Sequence, residues 1–266
     1  MYVNDSLRNA YLTLKEKPTI ILLFIGYEIF QLPILFLYLF LIQNASNPSN
    51  LQLFTLSIVF LAALIIVNFV FYIILASMSV MIAKQKIEGG KILLKKAFSD
   101  AKPFFARTAG LFIVIFLIFG IIATLMVSGF IFGGIGGFLI ILISFVLSVF
   151  LAVTITQSLT ISIIENLGII ASIKKSYNKS LPFFWSIFEI EFAISAIAGA
   201  IVSIGYLISL IFSPILGSII SSISSIIFTP IFLIAIPLFY FYSNQKPNQN
   251  KPEIGTSSVP PKISQS

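Results

Sequence analysis

All 16 Lys and Arg residues fall outside, or at the very edge of, six long apolar stretches, and always at alternate junctions between them. Basic side chains are costly inside hydrocarbon, and cytoplasmic loops carry the Lys/Arg excess of multi-pass proteins. The arrangement predicts an all-α integral membrane protein with six transmembrane helices and both termini on the cytoplasmic side of the cell membrane. The spans run about Thr19–Ile42, Leu51–Ala83, Phe104–Phe130, Phe138–Ile164, Phe183–Phe212 and Ile219–Tyr242. Each exceeds the ~20 residues that cross a ~30 Å hydrocarbon core. The second is long enough to run on into the cytoplasm as one helix.

Composition points the same way. With 58% hydrophobic and 9% charged residues the chain has too little polar surface for a soluble fold. It has no Cys and no His, which removes thiol chemistry, the commonest general base and the usual zinc ligands. No cofactor, metal site or enzymatic activity is expected. The net charge of +7 lies in short segments flanking the spans, so anionic lipid headgroups rather than nucleic acid are its expected counter-charge. The tail 243–266, rich in Pro, Asn, Gln and Ser, reads as disordered.

An internal repeat is visible. Lys95-Lys96-Ala97-Phe98, followed by Pro103-Phe104-Phe105, is echoed by Lys174-Lys175-Ser176-Tyr177 and Pro182-Phe183-Phe184, and more weakly by Arg8-Asn9-Ala10-Tyr11 and Pro18. The chain reads as three units, each a short cytoplasmic amphipathic helix, a Pro and a helical hairpin. Leu94/Ala97/Phe98/Ala101, Ile169/Ile173/Tyr177 and Leu7/Tyr11/Leu14 form the expected apolar faces, to lie in the inner membrane interface. Lys95, Lys96, Lys174 and Lys175 are the candidate groups for docking lipid headgroups or a cytoplasmic protein partner.

The run Ile164-Glu165-Asn166-Leu167-Gly168, with Ala171, Lys174, Lys175, Ser176 and a Phe/Trp-rich span start, resembles six-helix membrane proteins similar to the membrane domain of glycerophosphoryl diester phosphodiesterases. Ile87, Glu88, Gly89 and Gly90 repeat it loosely. The resemblance implies the six-helix fold over most of residues 1–242. It does not imply the hydrolase activity, which in that family resides in a separate domain.

Within the spans the chemically notable residues are Glu28, Glu189 and Glu191, with Asn68 and Gln157 as possible polar partners. At ~1.5 Å per residue, Glu28 lies ~15 Å beyond Pro18, and the two other acids ~10 and ~14 Å beyond Pro182. A carboxylate at that depth usually faces a bundle interior, a cavity or a partner. It either serves a proton- or cation-coupled pathway or is held by Asn68, Gln157, Gln31, a Tyr or Arg107. No broken helix accompanies the acids in the sequence pattern, which favours the structural role. Small residues every four positions (Ser144, Ser148, Ala152; Ser195, Gly199, Ser203; Gly217, Ser221, Ser225, Thr229) predict close helix packing rather than a hydroxyl-lined pore. The glycines at 133, 134, 136 and 137 predict a flexible outer turn. The expected function is a non-enzymatic scaffold or accessory subunit, with a small-solute transporter or export permease using the intramembrane carboxylates as the alternative.

Overall fold

A computed structural model describes residues 2–44, 51–211 and 214–245. Among the described residues there are ten α-helices and no strand: α1 Tyr2–Glu16, α2 Thr19–Asn44, α3 Leu51–Ile87, α4 Leu94–Ala101, α5 Phe105–Phe132, α6 Gly134–Ile155, α7 Ser158–Ile164, α8 Ile169–Ser180, α9 Phe184–Ile211 and α10 Pro214–Gln245. Five stretches are long and apolar enough to cross a membrane: Phe54–Ile87, Leu94–Phe132, Gly134–Ile164, Ile169–Leu210 and Ile219–Asn244. The first apolar region contributes a shorter segment, Thr19–Gln31. The outward faces carry bare Phe60, Phe116, Phe130, Phe138 and Leu210, a surface suited to lipid and not to water. The residue 45–50 connection and the tail from 246 onward lie outside the described residues.

Several elements begin where the sequence says they should. Pro103 and Pro182 each sit in a single 3₁₀ turn, Lys102–Phe104 and Leu181–Phe183, immediately before α5 and α9, where a missing N–H is tolerated. As expected, α3 runs unbroken past Ala83 for 37 residues. The helices α2 and α10 continue through Pro33, Pro230 and Pro237. The connection expected over 213–218 is largely helical, since α10 starts at Pro214.

Two expectations are corrected, and one is extended. The outer turn expected of the glycines is confined to Gly133, since α5 ends at Phe132 and α6 starts at Gly134. Gly133 and Gly134 have φ of 61° and 60°, and a Cβ on Gly137 would collide with the Gly129 carbonyl oxygen. Backbones meet there, and only glycine allows it. Secondly, the fourth span is interrupted at Thr156 and Gln157 between α6 and α7. Thr154 Oγ1 bonds back to the Phe150 carbonyl at 2.9 Å and Ser158 Oγ to that of Ile155 at 2.6 Å. Such side-chain competition bends helices.

The short helices also bury a face against the protein that is rich in small residues and shares Ala97, Ala101 and Leu14 with the expected apolar faces. Ser172, Ser176 and Ser180 of α8 are buried while Tyr177 is exposed, and Ser176 Oγ donates to the Thr154 carbonyl at 2.9 Å. In α4 Ala97 and Ala101 are buried and Phe98 exposed. In α1 Ser6, Ala10 and Thr13 are buried and Tyr11 exposed. The partner of each buried face is a neighbouring helix, and small side chains let the backbones approach.

Apolar burial concentrates at the lysine-bearing end. Ala10 and Leu14 of α1, Ile20 and Phe24 of α2, Leu75–Ala83 of α3, Ile187 and Ile190 of α9, and Ile234–Phe239 of α10 join one cluster. Tyr2 closes it edge-on against Phe183 and Phe239, at 6.3 and 6.2 Å between ring centroids. At the opposite end the α9–α10 hairpin closes on glycine, where a Cβ on Gly217 would lie 2.5 Å from the Gly205 carbonyl oxygen. Between these two contacts the bundle is open.

Candidate functional site

The opening is a groove between α2, α3, α9 and α10, and Glu28 stands where its two parts meet. A cavity of about 630 Å³ is lined by Glu28, Gln31, Ile34, Leu61, Tyr206, Ser221 and Ser225, among others. A second, of about 400 Å³, shares Glu28, Gln31 and Ser225 and adds Tyr27, Tyr72, Ser195, Phe228 and Phe232. Both volumes lie in the range of small-molecule sites. The hydroxyls of Ser222 and Ser225 face the Glu28 carboxyl across the groove.

The ridge of small residues on α10 therefore acts differently from the packing seam expected of it. Gly217 does meet α9, but at Gly205, while Ser221 and Ser225 line the groove. A Cβ on Gly199 would meet nothing within 4 Å. Ser224, one position away, makes the interhelical bond instead, donating to the Ala198 carbonyl at 3.3 Å.

Asn68 is near this site but does not hold the carboxylate. Its Oδ1 accepts from the Tyr27 hydroxyl at 3.1 Å, and its buried Nδ2 has no partner in the structure. Tyr27 in turn packs against Tyr72, 6.2 Å between ring centroids, so an aromatic wall flanks Glu28 on its own helix and on α3.

The other two acids go elsewhere. Glu189 lies on the outward face of α9 with Trp185 and Phe192, both exposed. Glu191, about 200° further round the helix at 100° per residue, faces Thr156 at the α6–α7 interruption. The sequence pattern carries no sign of a broken helix beside an acid, yet one is present. Gln157 is buried at the same interruption. The structure thus separates Glu28, Glu189 and Glu191 into three environments, and Glu28 is the one that lines the groove between α2, α3, α9 and α10. Arg107 pairs with none of them. It donates to Asn166 Oδ1 at 2.8 Å and to the Ser162 and Leu167 carbonyls, both at 3.2 Å, clamping the turn in which Asn166 has a φ of 54°.

At the lysine-bearing end the structure assembles a cluster around Glu165. Lys175 pairs with one carboxylate oxygen, and Lys179 reaches the other at 3.0 Å. The Tyr240 hydroxyl donates to Glu165 at 2.5 Å, and Lys179 also donates to Asn244 Oδ1 at 3.2 Å. Partial burial alone would raise the Glu165 pKa, but the bonds from Lys175, Tyr240 and Lys179 outweigh it and hold it at about 2. Of the four candidate docking lysines, Lys95, Lys96 and Lys174 are exposed, whereas Lys175 is already engaged. Glu165 carried only the resemblance in the sequence; its partners stand 10, 14 and 75 residues away. Among the described residues no group of three or more His, Cys, Asp or Glu could hold a metal ion.

Fold and groove together define the class: an all-α, multi-pass membrane protein with a carboxylate-bearing groove between four of its helices. No protein-family model, curated protein or solved structure matches the chain.

Proposed function

We propose that this chain is a six-span protein of the cell membrane, with cytoplasmic termini, that binds a small solute at Glu28 and passes it across the bilayer without covalent chemistry. The observation that carries the reading is the meeting of two cavities at one carboxylate. A purely structural Glu would be expected to find a protein partner that neutralises it, as Glu165 does. Glu28 instead faces hydroxyls and open volume. The burial pattern supplies a direction: α1 and the apolar cluster close the groove at the lysine-bearing, cytoplasmic end, leaving access from the other side.

Three further proposals accompany it. The three-unit repeat is supported by equivalent environments, since Ala10, Ala97 and Ser176 are each 0% exposed while Tyr11, Phe98 and Tyr177 are each exposed. Kinship to the membrane domain of glycerophosphoryl diester phosphodiesterases rests on residues 164–168, for which the Arg107 clamp supplies a physical role. A docking role, as scaffold or accessory subunit, is the second reading. The exposed ammonium groups of Lys95, Lys96 and Lys174 favour it, toward lipid headgroups or an acidic cytoplasmic partner.

The absence of Cys makes the groove directly testable. Single Cys at Ser209, Ser221 and Ser225 should react with membrane-impermeant thiol reagents from the face opposite the lysines, while Cys at Ile187 or Ile234 should not. Protection of all three groove positions would exclude the reading.

A further inference from the structure

We infer that the Glu28 groove is selective for an organic monocation with an apolar, partly aromatic body. The inference rests on the proposed binding role of the groove and specifies its ligand class. Charge comes first. Among the described residues Glu28 is the one carboxylate lining either cavity, and no Lys or Arg lines them. The connections at the same end, 43–50, 131–137 and 213–218, contain no charged residue, so no protein cation competes for it. An anionic solute would meet an unscreened carboxylate, and a cation is attracted.

Size and wall chemistry narrow the class. A bare metal ion takes several oxygen ligands close around it, whereas here one carboxylate borders two cavities of about 630 and 400 Å³. Ile34, Leu61, Ile65 and Val202 offer apolar surface to the body of a ligand. Tyr27, Tyr72, Phe228 and Phe232 flank the carboxylate, the residue types whose ring faces attract desolvated cations. Strong hydration would be lost in such a site, which selects against compact ammonium ions and for delocalised or quaternary ones.

Tetraphenylphosphonium, a monocation without hydrogen-bond donors, is the probe. Equilibrium binding is read on the full chain in nanodiscs, with empty nanodiscs subtracted. The expected result is saturable binding that weakens at least roughly tenfold, about 1.4 kcal/mol, in Glu28→Gln. Glu28→Asp, which keeps the charge, should retain most of the affinity, and Glu189→Gln on the outward face should leave it unchanged. Bound probe should also slow modification of Ser225→Cys by a neutral maleimide. Binding that is absent, or unchanged in Glu28→Gln, while Ser225→Cys still reacts would overturn the cation assignment and leave the groove as a site for another solute. Cys at Ser209, Ser221 and Ser225 that all fail to react in the folded protein would overturn both.

Discussion

Glu165 sits among Lys175, Lys179 and Tyr240 at the lysine-bearing end of the bundle, whereas Glu28, deep between α2 and α10, meets two serine hydroxyls and a cavity. The same functional group is thus paired with cations in one region and held by serine hydroxyls alone in the other. The surroundings differ to match. Around the lysine-bearing end, helices α1, α3, α9 and α10 pack a continuous apolar cluster, while the opposite end is pinned at glycine contacts with a groove between them. Cationic partners offset the desolvation of the Glu165 carboxylate, whereas no cation does so at the half-buried Glu28.

The contrast is most vulnerable at the glycine contact. In Gly217→Val a branched side chain would be pushed into the Gly205 carbonyl oxygen and Ser209, each 2.5 Å from where its Cβ would stand, and the protein should lose about 3 kcal/mol through overpacking. Thermal unfolding in mild detergent would show it. If the variant unfolds like the parent, the open end is not held together at this point.

Glu165→Gln should come next, losing about 2 kcal/mol with its charge-assisted hydrogen bonds. Its dependence on pH has a definite sign. Glu165 titrates at about 2 when folded, below its ordinary 4.5, so its stabilisation is present above 4.5 and is lost as pH falls toward 2. The gap between wild type and Glu165→Gln should therefore narrow across that interval. A constant gap would assign the loss to packing. Ser176→Ala, which removes one buried bond to the Thr154 carbonyl, should cost about 1 kcal/mol. Alanine already fills the corresponding place at Ala97 and Ala10, so the close approach of α8 should persist.

Much of this architecture was legible in the sequence because it follows from one-dimensional regularities. Apolar length marks the spans, the prolines mark the starts of α5 and α9, and Lys84 and Lys86 lie in the last turn of a helix with no terminator before Gly89. What escaped depends on competition between neighbours. The interruption at Thr156 is flanked by Thr154 and Ser158 bonding back to carbonyls, which leaves hydropathy untouched. The serine face of α8 leaves little trace in the sequence, because Ser172, Ser176 and Ser180 look polar until α6 is brought against them. The opposite orientations of Glu189 and Glu191 were available, since two residues on a helix lie about 200° apart. That Glu28 borders the groove depends on α2, α3, α9 and α10 together.

The most direct test of the contrast is a side-by-side thermal unfolding measurement of Glu165→Gln and Glu28→Gln in the same detergent at neutral pH. A clear loss of stability is expected for Glu165→Gln and no loss, or a small gain, for Glu28→Gln. Equal losses, or a larger loss at Glu28, would make Glu28 a structural carboxylate and contradict the assignment of the groove as the functional site.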